Sequence, residues 1–211
     1  MKGAPATFGL FVAIVIGFLV EVATGAWKNP DTLHTVGAVS HVDVFHDHEY
    51  WRLVAAMFLH GDGTTAGTVL HLALNLFALY QIGTLYEMMF GSRRFLLIYF
   101  LTGIVSFITT AMRPGVSSVG ASGAIFGIMG AFVFSVFRSP KWRHQRVARS
   151  IVVQCVFWIL MNIVIGTQVA RIDNYAHLGG LAAGLLLGAL LPHRTPPPPP
   201  TSVIDVQSWD R

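Results

Sequence analysis

The sequence predicts an all-α polytopic membrane protein built from six transmembrane helices. Hydrophobic residues make up 54% of the 211 residues and charged residues only 11%, whereas soluble globular domains carry about 25% charged residues. Six stretches approach the roughly 20 apolar residues that a helix needs to cross a bilayer. Lys and Arg gather on one side of the resulting topology. This pattern excludes an ordinary soluble enzyme, a nucleic-acid-binding domain and a disordered chain.

The six predicted spans form one membrane-embedded domain over residues 1–191. They cover residues 8–27, 69–90, 95–112, 120–137, 150–167 and 175–191. The first is expected to be retained, because no A-x-A-like cleavage site with a polar mature domain follows it. We expect Glu21 to snorkel or to anchor a loop. We expect Glu87 to have a structural role, either pairing with another residue or capping a helix. Residues 192–211 are predicted to be a Pro-rich, disordered cytoplasmic tail that opens with a stiff polyproline spacer.

The basic residues predict the orientation of the spans. With six spans, ten of the fourteen Lys and Arg residues share one side with both termini, and four lie on the other side. The ten are Lys2, Arg93, Arg94, Arg138, Lys141, Arg143, Arg146, Arg149, Arg194 and Arg211; the four are Lys28, Arg52, Arg113 and Arg171. Cytoplasmic loops carry the excess of Lys and Arg. Both termini are therefore expected in the cytoplasm, and a bacterial plasma membrane is the simplest location.

The longest loop, residues 28–68, is predicted on the outer side of the membrane. Loops of this length are usually functional or contain short helices of their own. Part of this loop is dense in possible metal ligands, namely His41, Asp43, His46, Asp47, His48 and Glu49. Zinc sites use such residues, but here they follow no helical spacing, and neither a nearby Cys nor an H-E-x-x-H motif accompanies them. We therefore expect a solvated polar loop with no metal and no cofactor.

Four polar residues stand out inside the spans, where polar groups are costly and mark function by default. His71 and Asn75 lie four residues apart, on one face of the second span. Ser122 opens the fourth span and His177 opens the sixth. All three spans run inward from the outer side, so we expect the four residues at one depth in the outer half of the membrane. A serine nucleophile, a histidine base and side-chain donors for an oxyanion are the parts of a serine hydrolase.

Small residues offer a way to bring Ser122 and His177 together. They repeat at four-residue intervals on two spans: Gly123 and Gly127 on the fourth, and Gly180, Gly184 and Gly188 on the sixth. Such faces let helix backbones approach closely. Each polar residue alone also has a simpler explanation: the serine can bond to its own backbone, Asn75 can clamp two helices, and His177 can be a packing histidine. Their combination at one depth favours catalysis.

These motifs resemble those of the rhomboid family of intramembrane serine proteases. Residues 120–127 (GASGAIFG) look like its G-x-S-G signature, and residues 71–75 (HLALN) like its H-x-x-x-N motif. Residues 176–184 (AHLGGLAAG) resemble the A-H-x-x-G-x-x-x-G of its last core helix. Trp51 and Arg52 resemble the W-R motif of the family's first loop. The matches cover residues 50–190 in the order that the family has them.

The resemblance implies a rhomboid-like bundle of six helices with a short, central fourth span. It implies a catalytic dyad, with Ser122 as nucleophile and His177 as general base. His71, Asn75 and the Ser122 N–H would form the oxyanion site. The Phe126 ring would pack against the base histidine, where some members have Tyr. Supporting roles are implied for Gly120, Gly180 and Gly184, and for Trp51 and Arg52, which would fold the first loop into the outer leaflet.

The resemblance also implies a gate between the second and fifth spans, and a dyad that needs no third member. Asp173 lies one helical turn before His177, and we expect it to reach water rather than to complete a triad. The substrates implied are single-span or multi-span membrane proteins within the lipid bilayer, cut near the outer leaflet. The sequence leaves the oligomeric state open.

Two other functions compete with intramembrane proteolysis. One is a catalytically inactive relative that binds or retains membrane clients; loss of the serine or the histidine would mark it, and both are present. The other is a small transporter or channel, which the lack of an inverted repeat and of paired mid-membrane acidic residues disfavours. The sequence therefore predicts a serine endopeptidase.

Overall fold

The computed structural model describes residues 3–140, 142–169 and 172–191, and it is mostly helical, at 76%. The predicted tail at 192–211 lies outside the described residues. In chain order, the elements are α1 (Pro5–Thr24), α2 (Pro30–Val36), β1 (Val39–Ser40), α3 (His41–Phe45), α4 (Arg52–Ala55), a 3₁₀ turn (Ala56–Phe58), α5 (Thr65–Ala78), a π-helical turn (Leu79–Gly83), α6 (Thr84–Phe90), α7 (Ser92–Ala111), β2 (Ser117–Ser118), α8 (Ser122–Arg138), α9 (Arg146–Gln168) and α10 (Asn174–Leu190).

Four of these helices are long and apolar enough to cross a membrane by length and composition. They are Pro5–Thr24, Thr65–Phe90, Ser92–Ala111 and Arg146–Gln168. The second joins α5, the π-helical turn and α6 into one continuous helix. The other two predicted spans correspond to α8 and α10, which are apolar but only 17 residues long. The chain is thus a helical integral membrane protein, while the count of six crossings stays a prediction.

Helix α8 lies at the centre of the bundle, packed against α7 and α10. Most of its residues are buried, as expected for a helix that is apolar on all sides. Two close approaches fix its contact with α10. A Cβ on Gly180 would collide with the carbonyl oxygen of Gly123, and one on Gly184 with that of Gly127. Both positions therefore require glycine, and the two helices touch through their backbones.

Two buried glutamates fasten the ends of α1 to the rest of the bundle. Glu87 accepts hydrogen bonds from the N–H groups of Ala6 and Thr7, at 2.9 and 2.7 Å, and from the hydroxyls of Thr7 and Ser92. It therefore caps the N-terminus of α1 and joins it to α6 and α7. Glu21 accepts from the N–H groups that begin the segment before α5 (His60, 2.8 Å; Gly61, 2.7 Å). Glu21 is fully buried, so it anchors the loop and does not snorkel.

The long outer loop is folded rather than loosely solvated. It contains α2, α3 and α4, and β1 pairs with β2 in antiparallel register, Val39 opposite Ser118. Asp43 is its buried centre: the carboxylate accepts hydrogen bonds from Ser40 at 2.6 and 2.8 Å and lies 2.9 Å from Nε2 of His34. Burial alone would raise the pKa of Asp43, but the Ser40 hydrogen bonds and the Arg52 charge outweigh it and hold the pKa below its ordinary value.

Candidate active site

Ser122 is the first residue of α8. The N–H groups of a helix's first turn have no partner within the helix, and they carry the positive end of its dipole. The chain reaches this point through Gly120, whose φ of +129° favours glycine. A Cβ there would also meet the His71 ring. Gly120 therefore serves both the turn into α8 and the close approach of His71.

His177 faces Ser122 from the first turn of α10. Its Nε2 lies 2.8 Å from the Ser122 Oγ. The Phe126 ring, one turn along α8 from the serine, is stacked on the imidazole with 4.3 Å between ring centroids and 9° between planes. Both rings are buried, so the imidazole is held flat in the orientation that directs Nε2 at the hydroxyl.

No third group joins this pair within the described residues, where the Nδ1 of His177 is buried and makes no hydrogen bond. Asp173 is occupied elsewhere. It caps α10 by accepting from the N–H groups of Tyr175 and Ala176, it accepts from the Thr110 hydroxyl, and it lies 3.7 Å from the Arg113 guanidinium. Its side chain is 11% exposed and lines the cavity, and no hydrogen bond joins this side chain to His177 among the described residues.

His71 and Asn75 line the same cavity as Ser122 and His177. The Nδ1 of His71 lies 3.2 Å from the carbonyl oxygen of His60. Because a carbonyl only accepts, this nitrogen carries the proton. A neutral His71 ring therefore has Nε2 as an acceptor, on the side that meets Gly120. The Asn75 Nδ2 donates to the His71 carbonyl oxygen at 2.9 Å, and its second hydrogen is available to the cavity.

His60, which follows the W-R motif in the segment that resembles the family's first loop, packs against His71. Its ring is fully buried 5.0 Å from the His71 ring, and neither ring nitrogen has a hydrogen bond among the described residues. Burial, reinforced by the neighbouring His71, lowers the pKa of His60 well below its usual range, so the ring is neutral.

A cavity of about 1790 Å³ is lined by Ser122 and His177 and by residues of the segments around them. One wall is the long helix Thr65–Phe90, and the other is α9. Its floor includes Ser122, Phe126 and His177, and both walls carry apolar and amide side chains. The cavity is large enough for several side chains of a peptide, and it brings the four predicted polar residues to one surface.

Trp51 and Arg52 lie away from this cavity and stabilise the outer loop. Arg52 is buried, bonds the Glu49 carboxylate at 2.6 Å, and donates to the carbonyl oxygens of His34 and Ala38. Trp51 is half exposed, with the Arg52 guanidinium 4.8 Å from its ring centroid. The loop in turn accepts a hydrogen bond from the Gly120 N–H through the Ala56 carbonyl, at 2.8 Å. These residues therefore affect Ser122 only through the backbone of the loop.

The possible metal ligands of the outer loop are dispersed among separate contacts. His41 bonds the Ala111 carbonyl, His48 lies 3.0 Å from the Tyr50 hydroxyl, and Asp43 and Glu49 are held by Arg52 and their other partners. Across the described part of the chain, no three His, Cys, Asp or Glu side chains are grouped as a metal site would require.

Comparison with known proteins identifies relatives of this chain. A family model described as the Rhomboid domain matches residues 47–194. The chain is 37% identical over 192 residues to "Rhomboid protease GluP" of Bacillus subtilis (strain 168), covering 90% of this chain and 36% of that protein. It is 37% identical over 161 residues to "RHOMBOID-like protein 6, mitochondrial" of Arabidopsis thaliana, covering 76% and 50%. It is 32% identical over 180 residues to "Rhomboid-like protease 3" of Toxoplasma gondii, covering 83% and 65%. The chain thus spans between about a third and two thirds of the length of these relatives.

Proposed function

The chain belongs to the rhomboid family, and on this premise we propose that it is a serine endopeptidase that cleaves transmembrane segments of membrane proteins. Ser122 is the nucleophile and His177 the general base. The observation that carries the proposal is the 2.8 Å contact between the Ser122 Oγ and the His177 Nε2, inside a cavity that also holds oxyanion donors.

The dyad supports acyl transfer in two steps. The Ser122 Oγ attacks the scissile carbonyl carbon while its proton passes to the His177 Nε2. The C–N bond then breaks, the imidazolium returns the proton to the leaving amine, and the acyl group stays on Oγ. Water attacks this ester and loses a proton to Nε2. The carboxyl product departs as Ser122 regains its hydrogen.

Three groups are suited to hold the oxyanion that forms in each step. The Ser122 N–H points from the positive end of α8, and Asn75 has one amide hydrogen to spare. His71 donates from Nε2 only when that nitrogen is protonated as well, because its Nδ1 hydrogen is bonded to His60. With a neutral ring, the backbone N–H and Asn75 are the donors. Removing one such donor typically costs about 10² to 10³ in rate.

Membrane segments are the substrates that fit this setting. A helix resists attack while its carbonyls are bonded internally, so segments with small residues at the cut and a weakened helix beyond it should react fastest. With both termini in the cytoplasm, the dyad acts in the outer half of the membrane. A bacterial plasma membrane is the location we propose.

Labelling with a fluorophosphonate tests the dyad without a known substrate. The purified protein is treated in lipid bilayers, and the adduct is located by mass spectrometry. We expect the adduct on Ser122, and we expect Ser122→Ala and His177→Ala to abolish it. Ser150→Ala, which alters another serine lining the cavity, and His46→Ala, in the outer loop, should label like the wild type. A folded wild-type protein that is not labelled would instead indicate a relative that only binds or retains membrane clients.

A further inference from the structure

The long helix Thr65–Phe90 widens at its middle, and this widening places an amide in the cavity. The π-helical turn Leu79–Gly83 interrupts it, and such turns are rare and frequent at functional sites. Gln81 lies within the turn, is exposed, and lines the cavity. Among the residues that the structure describes, its side chain has no hydrogen-bond partner. A glutamine side chain that lines a cavity and has no protein partner can donate to, or accept from, a polar group that enters the cavity.

The opposite wall of the cavity carries a second glutamine. Gln154 on α9 is exposed and lines the same cavity. Its Nε2 reaches the Ser150 hydroxyl at 3.4 Å, which leaves its carbonyl oxygen open. Ser150 and Asn162 also line the cavity from α9, but Asn162 lies eight residues further along the helix, about 12 Å from Gln154.

The two glutamines lie at a similar depth. The Phe90 ring, at the end of α6, lies 6.0 Å from the ring of Trp142, which shortly precedes α9. The end of α6 and the start of α9 are therefore at the same end of the bundle. At 1.5 Å per residue, Gln81 lies about 14 Å from the end of α6 and Gln154 about 12 Å from the start of α9. A segment that enters the cavity between these walls would pass both amides.

We propose that Gln81 and Gln154 form a polar subsite that recognises an amide or hydroxyl side chain within the transmembrane segment being cleaved. Each glutamine offers both a donor and an acceptor, so the pair can bind either kind of polar side chain. The proposal rests on the proposed protease function, and it adds a specificity determinant separate from the dyad.

The geometry also gives the position of the recognised side chain relative to the cut. Asn75 belongs to the level of the dyad, and Gln81 lies six residues further along the same helix, about 9 Å deeper. That depth corresponds to about six residues of substrate if the segment is helical and about three if it is extended. The polar side chain should therefore lie about three to six residues from the cut, on the side that points to the cytoplasm.

The test uses a synthetic single-span substrate of Leu and Ala, with small residues at the cut, in proteoliposomes. One version carries Gln on the inner side of the cut, moved from about two to about eight residues away; the reference has Leu throughout. kcat/KM is measured for the wild type, for Gln81→Leu and Gln154→Leu, alone and together, and for Gln168→Leu. Gln168 is the matched control, because it lies on α9 but does not line the cavity. Fluorophosphonate labelling of Ser122 accompanies every variant.

We expect the wild type and Gln168→Leu to cleave the Gln substrate about three- to tenfold faster than the Leu substrate, with a maximum within the predicted window. The double variant should lose this preference, cleaving the Gln and Leu substrates at similar rates, while Ser122 is still labelled. A preference that persists in the double variant, or that is absent from the wild type, would overturn the subsite but leave the protease intact. A wild type that neither labels nor cleaves would overturn the protease function and the subsite together.

Discussion

Ser122 and His177 lie 55 positions apart in the chain, and neighbouring residues hold their side chains in contact. Phe126 comes from the same helix as the serine but contacts the histidine, so it links the two. Its ring covers one face of the imidazole and restricts rotation about the side-chain bonds. The absence of a hydroxyl on this ring means that the contact acts through stacking alone.

Replacing Phe126 by Leu should slow the reaction without removing it. Loss of an aromatic contact costs about 0.5–1.5 kcal/mol, which corresponds to an about two- to tenfold lower rate of fluorophosphonate labelling. Phe126→Tyr keeps the ring and should label within about twofold of the wild type. Equal rates for the Leu variant and the wild type would mean that stacking does not position His177.

At the scale of helices, the active site depends on the contact between α8 and α10. Gly180 and Gly184 bring these helices together so closely that any side chain would meet the backbone of α8. The dyad lies one turn above this contact. A change that separates the helices should therefore affect stability and chemistry together.

Gly184→Ala should destabilise the protein by about 1–3 kcal/mol, because the added methyl meets the Gly127 carbonyl in a packed interior. The labelling rate of Ser122 should fall as well. Gly9→Ala is the matched control: Gly9 lies on α1 with nothing near a Cβ, and this variant should unfold like the wild type. The measurement is denaturant-induced unfolding in micelles, followed beside labelling. A Gly184→Ala variant as stable as Gly9→Ala would show that the helices can separate without cost.

At the scale of the whole molecule, the loop over residues 28–68, predicted on the outer side, ties several parts of the structure together. It is fastened to α1 by Glu21, to the segment before α8 by the β1–β2 pair and the Gly120 hydrogen bond, and internally by Asp43 and Arg52. The loop contains two buried groups that can change charge with pH, Asp43 and His60. The stability of the folded loop should therefore depend on pH.

The outer loop should weaken in acid. The pKa of Asp43 is lower in the folded protein than in the unfolded chain. The stability that its carboxylate gives the folded loop is therefore complete above the unfolded pKa, about 3.9, and is lost as the pH falls below it. The folded pKa of His60 is also lowered, so its contribution is complete above about 6.5 and declines as pH falls below that value. Hydrogen exchange over residues 38–60, corrected for intrinsic rates, should therefore accelerate below pH about 6.5, and further below about 4.

Single substitutions distinguish the contribution of His60 to this pH dependence from that of Asp43. His60→Leu should remove the pH dependence between about 6.5 and 4.5, while His46→Leu, in the exposed part of the loop, should leave it unchanged. Asp43→Asn should flatten the profile below about 4. Exchange that stays constant from neutral pH to about pH 4 in the wild type would contradict the assignment of His60 as a neutral buried group.

The sequence predicted the helical membrane class, and it indicated Ser122 and His177 as a candidate pair, because apolar length and motif spacing are local signals. Contacts between segments that are far apart in the sequence have no such local signal. The sequence does not tell that Thr110 and Arg113 lie beside Asp173. Glu21 could be placed near a loop, but its two N–H partners come from about forty residues later. The π-helical turn has no marker in its composition, and so the exposure of Gln81 emerged only in three dimensions.

Among the four membrane-length helices, α9 is the least buried within the protein. This low burial matters when the protein is reconstituted in lipid. Only 17% of the most apolar stretch of α9 is buried within the protein, against 50% for α7, so in a bilayer its remaining surface would face acyl chains or the cavity. Helices accommodate bilayer thickness by tilting at modest cost, and a helix with few protein contacts should do so most readily. We therefore expect the lipid composition of a reconstituted preparation to alter the distance between the two cavity walls, as a mutation in those walls would.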